Sequence, residues 1–120
     1  MKRILVVEPD PDLTWLICER LRGAGHEAFT GEPEQAVALA ADLPADLIVA
    51  ALSSFALEEA PLYKALRGDP RTKDIPMVII TGRGNATINR RLGEKPTNVL
   101  FKPFELDVLA TAVAEILQAE

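Results

Sequence analysis

The stretch that most constrains the fold runs from Asp46 to Ser54, Asp-Leu-Ile-Val-Ala-Ala-Leu-Ser-Ser, with no charge after its first residue. Pro44 punctuates the chain just upstream, and the run is too short for an ordinary helix. A short uncharged segment bounded by a turn signal reads as the central strand of a sheet covered on both faces. In an open α/β sheet the carboxyl end of such a strand borders the ligand crevice. Ala50, Ala51 and Leu52 stand at that end, and none of them carries a reactive group.

The rest of the chain alternates around this strand. Ile4 to Val7 is a short β-branched run broken by Glu8-Pro9-Asp10-Pro11, which predicts a buried strand ending in a turn. Asp10 is placed to cap the next helix, with Pro11 at its first position, where a missing N-H costs nothing. Leu13, Leu16, Ile17 and Leu21 recur at helical spacing up to Gly23-Ala24-Gly25. A strand is expected over His26 to Thr30, and a helix opens at Glu32-Pro33 and carries Ala36, Val37, Leu39 and Ala40 to Asp42. After the central strand come a loop with Phe55, a helix from about Pro61 to Gly68 carrying Leu62, Tyr63 and Leu66, and a strand over Pro76 to Thr81. Gly82-Arg83-Gly84-Asn85 predicts a loop and Ala86 to Leu92 a short helix. Val99 to Phe101 is the fifth strand, and Glu105 to Leu117 an amphipathic helix with Leu106, Leu109, Val113 and Ile116 on one side. Strict β-α alternation predicts a doubly wound, five-stranded parallel sheet with helices on both faces, because parallel strands need crossovers.

Composition narrows the function classes. At 120 residues the chain is read as one domain, long enough to bury a core unaided. The net charge of −5 argues against broad affinity for nucleic-acid backbone. Cys18 is the only cysteine and His26 the only histidine, so an internal disulfide and a Cys/His metal cage are both excluded. A reducing cytoplasm is the expected compartment. The apolar run after Arg3 stops at Glu8, too early for a signal peptide, and no run approaches the ~20 residues of a membrane span. No glycine-rich phosphate loop, nucleophile elbow or metal-binding helix motif is present, and no cofactor is expected.

The order of features resembles the receiver domain of two-component response regulators over essentially the whole chain. The residues that carry the resemblance are Ile4-Leu5-Val6-Val7 before an acidic turn, Asp46-Leu47-Ile48, Asp69-Pro70-Arg71-Thr72 with Ile75-Pro76, Ile80-Thr81, and Phe101-Lys102-Pro103-Phe104. It implies the flavodoxin-like strand order 2-1-3-4-5. Receivers hold a magnesium ion with a pair of acidic residues after the first strand; that pair here reads Glu8-Pro9. Their phospho-accepting aspartate matches Ala51, whose methyl group can accept no phosphoryl. The switch threonine and the charge-sensing lysine match Thr81 and Lys102, while the switch aromatic matches Val99. The family's proline and glycine after the aspartate match Phe55 and Glu59, and its often cis Lys-Pro bond matches Lys102-Pro103.

These matches imply an atypical receiver, or pseudo-receiver: a non-enzymatic signalling module that works by protein-protein contact and is not switched by aspartyl phosphorylation. Glu8, Pro9, Ala51, Thr81, Val99 and Lys102 then form a vestigial phosphorylation site without a metal. Without a central aspartate, Glu8 and Asp10 read as cap and turn acid, and Lys102 is expected to pair with Glu8 across the crevice. Ser53 and Ser54 are weak nucleophiles with no base beside them. Trp15 falls on the face of its helix opposite Leu13, Ile17 and Leu21, so it is expected to point outward, as a binding anchor or as a lone exposed apolar residue. Cys18 reads as a bystander, and His26 and Tyr63 as structural. Arg83, Arg90, Arg91 and Lys95 concentrate positive charge near residues 86–92, either as a solvated face or as a selector for an acidic partner. In the family the fourth helix, fifth strand and fifth helix dock dimers and output partners, so the expected partner is a protein, a second copy included, with no nucleic acid and no membrane. The alternative is a small-ligand sensor, for an anion or nucleotide, using the crevice bounded by Glu8, Ala51, Thr81 and Lys102; an enzyme on the same scaffold would need a nucleophile-base pair that the sequence lacks.

Overall fold

A computed structural model describes residues 2–52, 60–82 and 97–119. The positions 53–59 and 83–96 lie outside the described residues, and with them Ser53, Ser54, Phe55, Glu59 and the helix expected at 86–92. The elements in chain order are β1 (Arg3–Val7), α1 (Pro11–Gly23), β2 (Glu27–Thr30), a 3-10 turn (Pro33–Gln35), α2 (Ala36–Asp42), β3 (Leu47–Ala51), α3 (Pro61–Gly68), β4 (Met77–Thr81), β5 (Thr97–Phe101) and α4 (Leu106–Ala119). The five strands form one parallel sheet in the order β2-β1-β3-β4-β5. This is the doubly wound flavodoxin-like order expected from the sequence.

Alternation along each strand builds two cores, because successive side chains of a strand leave on opposite faces. Leu5, Val7, Ile48, Ala50, Met77, Ile79 and Val99 pack on one face against α2 and α3. Ile4, Val6, Leu47, Val49, Val78 and Ile80 pack on the other against α1 and α4. Burial of each large aliphatic side chain contributes roughly 1.5–3 kcal/mol, so the sheet is held by its own residues from both sides.

Local chemistry fixes the ends of the elements. Asp10 caps α1: Oδ1 accepts from the backbone N–H of Asp12 at 2.9 Å and of Leu13 at 3.3 Å, and Pro11 opens the first turn. The helix stops where Gly25 takes φ +93°, a left-handed conformation that glycine adopts without strain. Asp69-Pro70-Arg71-Thr72 is a structural tie: buried Thr72 donates its hydroxyl to Leu66 O at 2.6 Å, and Arg67 Nη1 donates to Lys73 O at 3.1 Å and Ile75 O at 2.5 Å.

Three expectations need correction. The helix expected from Glu32 is a 3-10 turn followed by α2 from Ala36. The fifth strand begins at Thr97, two residues before the apolar run, because β4 pairs with it residue by residue from Met77 to Thr81. Leu16 does not join the core: it stands about 100° of arc before Ile17, and is 44% exposed while Ile17, Cys18 and Leu21 are buried.

Candidate functional site

The crevice lies where the strands end. Val7 pairs with Ala50 and Ala51 with Ile80, while Thr81 pairs with Phe101. The residues one step beyond β1 and β5 are Glu8 and Lys102, so the sheet register delivers Glu8, Ala51, Thr81 and Lys102 to one edge. Backbone hydrogen bonds continue the ladder past the strands, from Leu52 N–H to Ile80 O at 2.9 Å and from Lys102 N–H to Thr81 O at 2.8 Å. The resulting depression, about 530 Å³, is lined by Pro9, Ala51, Leu52, Ile80, Thr81, Gly82 and Lys102.

Its dominant electrostatic feature is one ion pair. Lys102 Nζ lies 2.9 Å from Glu8 Oε1; the Glu8 side chain is fully buried and that of Lys102 is 36% exposed. The contact lacks good hydrogen-bond geometry, so the charge on Oε1 is met by Coulomb attraction rather than by an aligned bond. Oε2 accepts from the backbone N–H of Asp10 at 2.7 Å. The pairing expected from the sequence is therefore present, and the Lys102–Pro103 peptide is cis. Val99 is buried with the α2/α3 core, and Thr81 is buried at the end of β4.

This donor set does not fit a magnesium ion. Both oxygens of Glu8 are engaged, and neither Pro9 nor Ala51 has a side-chain oxygen. Among the described residues no group of three His, Cys, Asp or Glu side chains is placed to hold a metal.

The surface candidates divide. Trp15 is 62% exposed and borders a groove of about 500 Å³ with Thr14, Thr30, Glu32 and Gln35. Arg83, Arg90, Arg91 and Lys95 lie outside the described residues. A second groove, of about 560 Å³ and not expected from the sequence, runs between the start of α1 and the β5–α4 connection, lined by Leu13, Leu16, Pro103 and Phe104 together with Asp10, Asp12 and Lys102. Its signal was the mismatch of Leu16 with the core arc, visible once the arc is centred on Ile17 and Leu21. Burial pushes the Cys18 thiol up, away from the reactive thiolate. Burial pushes the His26 imidazole down from its ordinary 6.5.

A parallel sheet in this order, with its crevice at the carboxyl ends of β1, β3 and β4, defines the doubly wound flavodoxin-like class. No protein-family model matches the chain. A crystal structure of a response regulator from Desulfuromonas acetoxidans superposes with a TM-score of 0.82 at 20% identity, covering 99% of this chain and 98% of that one. The protein named "Probable chemotaxis protein CheY" of Rhizobium etli is 23% identical over 98% of this chain and 93% of its own length. The DNA-binding dual master transcriptional regulator RpaA of Synechocystis is 30% identical over 98% of this chain, which spans 50% of that relative. By fold, and by similarity along its length, the chain resembles the receiver domains of response regulators.

Proposed function

We propose that this domain is a pseudo-receiver, a non-enzymatic module that transmits a signal by docking a protein partner and is not switched by aspartyl phosphorylation. The observation that carries this reading is Ala51 at the end of β3, at the crevice edge where Glu8 and Lys102 already satisfy one another. A methyl group cannot accept a phosphoryl, and the charge-sensing lysine is already engaged. That engagement also counts against a small anion in the crevice, since Lys102 would have to leave a buried carboxylate to meet it.

The net charge of −5 favours a protein over nucleic-acid backbone as the partner of this domain. Trp15 is the candidate anchor, because large exposed aromatics dominate binding energy where they are buried by a partner. Among the described residues no helix is long and apolar enough to cross a membrane. We infer a cytoplasmic location from a sequence with a single cysteine, the buried Cys18, and so without an internal disulfide. Incubation with acetyl phosphate and magnesium tests the central claim by intact-protein mass. The expected result is an unchanged mass, and a stable gain of one phosphoryl group overturns the reading.

A further inference from the structure

We propose that Glu8 replaces the absent acceptor carboxylate as the fixed charge partner of Lys102, and that the pair locks the crevice edge in one arrangement that needs no phosphoryl input. The inference rests on the pseudo-receiver reading and adds the device that holds such a domain in a defined state.

Ala51 leaves the end of β3 without charge, so Lys102 needs another anion. The β1–β3 register places Glu8 one residue beyond Val7, beside that end, and its carboxylate is the anion the lysine meets, at 2.9 Å. Three further bonds tie this contact to the surrounding elements. Glu8 Oε2 accepts from Asp10 N–H at 2.7 Å, and Asp10 caps α1. The Glu8 carbonyl accepts from the Thr14 hydroxyl at 2.8 Å, one turn into α1. Lys102 N–H donates to Thr81 O at 2.8 Å, which fixes the exit of β5 to the end of β4. One ion pair thereby couples the start of α1 to the β5–α4 connection, the two walls of the groove lined by Leu13, Leu16 and Phe104.

The energetic reason is the burial of Glu8. A carboxylate with no solvent exposure that loses its counter-charge among the described residues is left uncompensated, whereas removal of both charges leaves a neutral site. The two single losses are therefore coupled, unlike those of two independent surface charges.

Thermal melts and backbone amide NMR spectra of the wild type, Glu8→Gln, Lys102→Met and the double variant test the lock. Lys102→Met is expected to lower Tm by about 5–10 °C, and Glu8→Gln, the milder change, by less. The double variant is expected to melt above Lys102→Met. Either single change should move the same amide signals on both sides of the crevice, those of Asp10 to Thr14 and of Lys102 to Phe104. The lock is overturned if the two Tm losses simply add in the double variant, or if Glu8→Gln leaves the Lys102 to Phe104 signals in place. Should Lys102→Met fail to fold, the Glu8→Gln spectrum alone decides. A phosphoryl mass gain in the wild type would remove the pseudo-receiver reading without altering these couplings, so the two failures are separately visible.

Discussion

Single side chains decide what the crevice can do. Restoring the acceptor alone, as Ala51→Asp, is expected to leave the protein mass unchanged after acetyl phosphate and magnesium, because Pro9 supplies no second carboxylate and Glu8 is held by Lys102. Pro9→Asp with Ala51→Asp is the variant expected to gain a phosphoryl; uptake by Ala51→Asp alone would show that the metal site is intact. Trp15, the sole tryptophan and 62% exposed, is expected to show nearly the same fluorescence emission folded and unfolded and to be quenched by acrylamide in both states. A large red shift on unfolding would contradict its exposure. His26 is expected to make stability depend on pH. Burial lowers its pKa below 6.5, so the unfolded chain binds more protons below that pH, and stability, full above 6.5, falls as pH is lowered through the folded value. Urea melts between pH 7.5 and 5 should show this fall, and His26→Gln should flatten it. That Trp15 faces out and that Lys102 meets Glu8 were both legible from residue order. The apolar groove at Leu16 was not, because helical spacing names the residues that share a face without centring that face on the core.

At the scale of elements, caps and strand alternation do most of the work, and both are local. Asp10→Ala removes the acceptor of two N–H groups at the start of α1 and is expected to cost about 1 kcal/mol in urea unfolding. A change under a few tenths would mean that Glu8 and Thr14 hold the turn without it. An added Cβ at Gly31 would meet the terminal methyl of the partly buried Leu39 side chain of α2, which can turn aside. Gly31→Ala is therefore expected to cost less than about 1 kcal/mol in urea unfolding. The strands were readable because an uninterrupted apolar run means burial on both faces. The 3-10 opening of the Glu32 helix and the early start of β5 were less so: Pro33 is compatible with either helix type, and Thr97-Asn98 joins the sheet because β4 offers it partners along its whole length.

For the molecule as a whole, the parallel sheet turns distant sequence positions into neighbours. Glu8, Ala51, Thr81 and Lys102 come from four strand ends spread over most of the chain, and one shared register sets them side by side. The sequence by itself determined the fold class, the two-sided burial of the strands and the absence of a side-chain oxygen at Ala51 and Pro9, on which the proposed function rests, because periodicity and side-chain type are local properties. Only the tertiary structure decided that the Glu8 carboxylate is wholly buried, hydrogen-bonded at Oε2 and ion-paired at Oε1, and that this ion pair joins the start of α1 to the β5–α4 connection. Those facts depend on distances across the sheet and on the exclusion of water, which no local pattern encodes.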